Sequence, residues 1–144
     1  MEQIKVFIVE DQSLLALDLR SRLESLNYKV VGFADNGIDA ISKIGETEPD
    51  IVLMDIVLKG NLNGIETAEQ IRDIYNIPFI YLTAYYDDKI LEKAAETQPD
   101  GYITKPYDDI GVHTSIQIAI RRRKYSAPNI KTKISKESAQ NLKI

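Results

Sequence analysis

The chain has 144 residues, 44% hydrophobic and 28% charged, with a formal net charge of −4; this fits one soluble globular domain with a short extension and argues against wholesale disorder. It contains no cysteine, which excludes disulfide frameworks, thiolate nucleophiles and cysteine zinc sites, and no run reaches the roughly 20 apolar residues of a membrane span, so no membrane contact and a cytoplasmic location are expected. The charge is uneven: from Arg121 onward eight basic residues face one acidic, whereas the preceding body holds 10 basic and 21 acidic, a balance that argues against nucleic-acid binding through the body.

Short apolar runs alternate with stretches of helical period, which predicts successive βαβ units and an α/β fold on a parallel sheet. The first strand is expected over residues 4–9 and ends in Glu10-Asp11. A helix follows with Leu15, Leu19, Leu23 and Leu26 on one face, ending near Asn27, and residues 30–33 form the second strand. The next helix, residues 37–45, carries Ile38, Ile41 and Ile44 three apart. Pro49-Asp50 interrupts, and the run from Ile51 closes in Asp55. The loop of residues 59–64 leads to a helix reaching about Tyr75, with Ile71 and Ile74 directed inward. Strand four, residues 78–82, ends in Thr83-Ala84. Asp87-Asp88 sit where acidic side chains favour a helix start, and that helix runs to about Thr97. Residues 98–101 turn the chain into strand five, which ends in Lys105-Pro106. A last helix from Asp108-Asp109 to about Lys124 presents Val112, Ile116 and Ile120 on one face. Residues 1–125 are thus expected as the folded domain and 126–144 as a basic tail or linker.

Ligands of open parallel sheets bind at the carboxyl ends of the strands. Here those ends carry the carboxylates of Glu10, Asp11 and Asp55, the Thr83 hydroxyl and the Lys105 ammonium. Carboxylates suit Mg2+, a hard ion that keeps coordination places open for phosphate. A carboxylate is already ionised at neutral pH and can attack phosphorus to give an acyl phosphate. An ammonium opposite it offsets charge on the group in transit.

In this order, Glu10-Asp11, Met54-Asp55, Gly64-Ile65-Glu66, Thr83-Ala84 and Tyr102-Ile103-Thr104-Lys105-Pro106 resemble the response-regulator receiver domain of two-component signal transduction, over about residues 4–124. The resemblance implies a flavodoxin-like, doubly wound five-stranded parallel sheet in order 2-1-3-4-5 with five helices. It implies Asp55 as phosphoacceptor, Asp11 as a direct Mg2+ ligand, Glu10 as a support for the metal through water, and Val57 as a ligand through its backbone carbonyl. Thr83 and Lys105 would contact the phosphoryl oxygens, Thr83 and Tyr102 would form the switch, and the Lys105-Pro106 bond would be cis. Implied partners are a histidine kinase and an output protein, with homodimerisation through the fourth helix, fifth strand and fifth helix. Such a domain is no enzyme beyond assisting its own phosphorylation and dephosphorylation.

Departures stand beside the match. Lys59 takes the place of a usual proline, and Asn63-Gly64 falls one residue late, which lengthens the loop after strand three. Val57 and Tyr85 hold the positions that flank the path of an attacking water, where apolar and aromatic groups would prolong the phosphorylated state. A magnesium phosphohydrolase with an aspartyl nucleophile would want an aspartate where Val57 stands. A flavin carrier would not place Glu10-Asp11 against phosphate. A receiver acting only by constitutive protein contacts is the nearest alternative, opposed by the five intact site positions. His113 reads as a solvated side chain, and Arg121-Arg122-Arg123-Lys124 as cations favoured at a helix C-terminus.

Overall fold

The computed structural model describes residues 2–58, 60, 63–84 and 88–125; the expected tail, with Lys59, Tyr85 and Asp87, lies outside them. Five strands alternate with five helices: β1 (Lys5–Val9), α1 (Ser13–Ser25), β2 (Lys29–Ala34), α2 (Gly37–Thr47), β3 (Ile51–Asp55), α3 (Gly64–Ile74), β4 (Phe79–Thr83), α4 (Asp88–Glu96), β5 (Gly101–Thr104) and α5 (Asp109–Tyr125). The sheet is parallel, in the expected order β2-β1-β3-β4-β5.

Helices on both faces bury the central strands from both sides, which is why their sequences are continuous apolar runs rather than alternations. β3 and β4 are buried along their whole length. The pleat then sorts the side chains. Val6, Ile8, Ile51, Leu53, Ile80 and Leu82 meet Leu19 and Leu23 of α1 and Val112, Ile116 and Ala119 of α5. Phe7, Val9, Val52, Met54, Phe79 and Tyr81 meet Ala40 and Ile44 of α2, Ala68 and Ile71 of α3 and Ala94 of α4.

Two isoleucines depart from expectation. Ile38 is 56% and Ile74 57% exposed. A three-residue step drifts by about 60° around a helix of 3.6 residues per turn, so positions three apart leave a common face within two steps. The inward stripe of α2 is instead Gly37, Ala40 and Ile44, with Ile41 half-buried at its edge, and that of α3 is Gly64, Thr67, Ala68 and Ile71.

The helix ends explain the displaced Asn-Gly pair. Asn63 caps α3: its Oδ1 accepts from Glu66 N–H at 2.8 Å while the Glu66 carboxylate accepts from Asn63 N–H at 3.1 Å, a reciprocal capping box. Gly64 donates its N–H to Ile56 O at 2.9 Å. The longer loop therefore still delivers glycine to the point where α3 touches the end of β3. At the end of α2, Glu48 adopts a left-handed conformation with φ 47° and ψ 60°, which favours glycine. Glu48→Gly is expected to raise stability by about 1 kcal/mol, read as a higher urea midpoint at unchanged slope; a lower midpoint would contradict it.

Arg123 fastens the end of the sheet opposite the Glu10, Asp11 and Asp55 carboxylates. Its guanidinium lies 2.7 Å from Asp100 Oδ1 and also donates to Asn76 O at 3.1 Å, while Asp100 Oδ2 accepts from Phe79 N–H at 3.0 Å. One member of the basic run is thus a structural clamp, beyond the helix-end effect expected for it. His113 likewise is not merely solvated: its Nδ1 shares a 2.8 Å hydrogen bond with the buried Tyr28 hydroxyl.

Candidate functional site

The register explains how residues far apart in sequence converge. Val9 pairs with Met54 between β1 and β3, so Glu10 and Asp55, each one position farther on, leave adjacent strands side by side. Glu10 N–H continues the ladder to Ala34 O at 3.0 Å. The Glu10, Asp11 and Asp55 carboxylates offer oxygens within 4.8 Å of one another. Glu10 and Asp55 are buried, and Asp11 is half-exposed.

Thr83 pairs with Thr104 at the ends of β4 and β5, and Lys105 N–H donates to Thr83 O. From β5 the Lys105 side chain reaches past β4. Its Nζ lies 2.8 Å from Asp55 Oδ2 and 3.1 Å from Glu10 Oε1. A flexible stem ending in a compact charge suits this reach. Asp55 Oδ1 accepts from Val57 N–H at 3.1 Å, and Glu10 Oε2 from Gln12 N–H at 3.2 Å. Both carboxylates are therefore held from two sides. The Lys105-Pro106 peptide is cis, as expected.

The electrostatics follow from burial. Burial raises the Glu10 pKa above its ordinary value, partly opposed by the Lys105 hydrogen bond and charge. For Lys105, burial disfavours the ammonium, but hydrogen bonds and charge from Asp55 and then Glu10 outweigh it and hold the group above its usual range. The ammonium is thus fixed at neutral pH, facing two carboxylates whose negative charge it only partly offsets.

Of the expected site residues, Glu10, Asp11, Asp55 and Lys105 form one cluster, and Thr83 is buried at the adjoining strand end. Val57 contributes its N–H to Asp55, while its side chain is 51% exposed. Tyr102 does not join the cluster: it is 43% exposed on β5, with its ring 6.0 Å from that of Tyr81. Tyr85, the proposed companion of Val57 in excluding water, lies outside the described residues. Gln12 was not foreseen, because it acts through a backbone amide that every residue type except proline has. Tyr107 was not foreseen either; with Leu15, Ala84, Lys105 and Pro106 it lines a groove of about 400 Å³ beside the cluster. No helix among the described residues is long and apolar enough to cross a membrane.

The donor set fits Mg2+: three hard carboxylate ligands converge at a strand end beside an ammonium that leaves them a net negative charge. Comparison with known proteins agrees in kind. A family model described as the response regulator receiver domain matches residues 6–117. The transcriptional regulatory protein YdfI of Bacillus subtilis is 29% identical over 140 residues, covering 96% of this chain and 65% of its own length. The response regulator protein VraR of Staphylococcus saprophyticus is 36% identical over 104 residues, covering 71% of this chain and 49% of its own. The chain thus spans about half to two thirds of the length of these relatives. Among solved structures, the signal receiver domain of a modulated diguanylate cyclase from Desulfovibrio desulfuricans G20 aligns with a TM-score of 0.83 at 40% identity, covering 86% of this chain and 98% of that one.

Proposed function

The chain belongs to the response regulator receiver domain family, and from that premise we propose that Asp55 accepts a phosphoryl group from a histidine kinase with Mg2+ as cofactor, so that the domain works as a phosphorylation-dependent switch. The observation that carries this reading is the Asp55 carboxylate held between Val57 N–H and Lys105 Nζ. Its orientation is set before any donor arrives, and orienting a reactant is a large part of phosphoryl transfer.

In the transfer, an Asp55 oxygen forms a bond to phosphorus as the bond from phosphorus to the donor imidazole nitrogen breaks, and the imidazole leaves. Lys105 then faces the new charge on the phosphoryl oxygens. Mg2+, held by Glu10, Asp11, Asp55 and the Val57 carbonyl, would neutralise repulsion between the carboxylates and those oxygens. The groove beside Lys105 and Tyr107 gives the donor side chain an approach. Thr83, which pairs with Thr104 at the adjoining strand end, follows the added charge in this reading, and the exposed aromatic Tyr102 rearranges with it. Driving a two-state switch from 1:99 to 99:1 takes about 5.5 kcal/mol, within reach of a few charge-assisted hydrogen bonds of about 1.5–3 kcal/mol each. The face formed by α4, β5 and α5 is the proposed output surface and a route to homodimers.

The test is intact-mass measurement after incubation with Mg2+ and a small-molecule phosphodonor. One added phosphoryl group is expected, absent without Mg2+ and absent from Asp55→Asn. An unmodified mass, with beryllofluoride binding also absent, would instead favour a receiver that acts through constitutive contacts.

A further inference from the structure

Helix α4 is joined to the body near its carboxyl end. Of its nine residues Ala94 is the one buried, with Ile90 packed partly against the core. Just beyond its last turn, Thr97 is buried, and its hydroxyl and carbonyl make three hydrogen bonds. The Thr97 hydroxyl donates to Ala94 O at 2.6 Å. A hydroxyl has one proton, so the 2.6 Å bond between Thr97 Oγ1 and Tyr81 OH has the tyrosine as donor. Arg72 of α3 adds a bond to Thr97 O at 3.2 Å.

Tyr81 itself lies two residues before Thr83 on β4, on the same side of the pleat. Its ring is 5.4 Å from Phe79, edge to face, and 6.0 Å from Tyr102, its direct partner on β5. Burial pushes its phenol far above the usual range, so the hydroxyl remains a donor. One side chain therefore touches the exposed aromatic of β5 with its ring and the foot of α4 with its hydroxyl.

We infer that Tyr81 is a positioning residue: through Thr97 its hydroxyl pins the carboxyl end of α4 to β4, and α4 turns about that end when Thr83 and Tyr102 rearrange. The pin is a property of the unmodified protein, whereas its use in signalling rests on the acceptor role of Asp55.

Hydrogen exchange on the full chain separates the two. Tyr81→Phe, which keeps the ring, and Thr97→Val, which keeps the shape, are expected to speed exchange of the α4 amides about tenfold. Thr97→Ser, which restores a hydroxyl, should stay within about twofold of the parent, and β1 and β3 should not change. Phosphoryl uptake at Asp55 should be unaltered in Tyr81→Phe, while the change in α4 exchange on beryllofluoride addition should shrink. Unchanged α4 exchange in Tyr81→Phe would overturn the pin, as would an equal acceleration throughout the protein or a serine variant no better than valine. Absence of phosphoryl uptake in the parent would sink the acceptor role and leave the exchange result to decide the pin by itself.

Discussion

Lys105→Met is expected to slow phosphoryl uptake from a small donor by about a hundred- to a thousandfold, the scale of losing one preorganised charge partner of the group in transit. The same substitution should lower stability in magnesium-free buffer by about 3 kcal/mol. Lys105 Nζ is bonded to both Asp55 and Glu10, and those carboxylates are buried, so removing the cation leaves two like charges facing each other without the ammonium they share. Mg2+ should then stabilise the variant more than the parent, since the ion no longer competes with an ammonium for the same oxygens. Denaturant unfolding with and without Mg2+ measures both quantities. If the ion stabilised parent and variant equally, Lys105 would not be a competitor for the carboxylates, and its contacts would be incidental to metal binding.

Gly64→Ala is expected to cost about 3 kcal/mol, the upper part of the range for overpacking. A methyl group there would sit 2.2 Å from Asp55 O and 2.4 Å from Ile56 O. These are backbone atoms at the end of a buried strand, so no side chain can turn aside to make room. The clash also pushes on Asp55, the proposed phosphoacceptor, and phosphoryl uptake should fall with stability. A urea midpoint within error of the parent would mean that α3 can slide away from β3, and that the late position of the Asn-Gly pair gives real slack.

Most of the architecture could be read from the chain because the periodicities were strong. Runs such as Ile51–Asp55 and Phe79–Thr83 are buried on both faces, and that double burial is what makes them legible as parallel strands. Glu10, Asp55 and Lys105 were legible as a site because each stands at a strand end, where strand order alone dictates the neighbours. What escaped depends on angle or on atoms without a sequence signature. Ile38 and Ile74 differ from their buried neighbours by rotation around a helix, not by residue type. The Tyr81–Thr97 bond joins a strand residue to a turn residue 16 positions on, and nothing in either side chain announces its partner. Tyr102, expected as part of the switch, is 43% exposed, because β5 is an edge strand with a burial pattern broken by exposed positions.

The Arg123 clamp lies at the amino ends of the strands, on Asp100 and the Phe79 amide, while Thr83 closes β4 at its carboxyl end, about 13 Å away at 3.3 Å per residue. Sites so far apart that share no partner have free energies that add. Substitutions at the clamp are therefore expected to change stability and leave phosphoryl uptake alone, whereas substitutions in the acidic cluster change both, because its buried carboxylates, Glu10 and Asp55, share Lys105. The clamp thus offers an engineer a control on durability that stands apart from the acidic cluster.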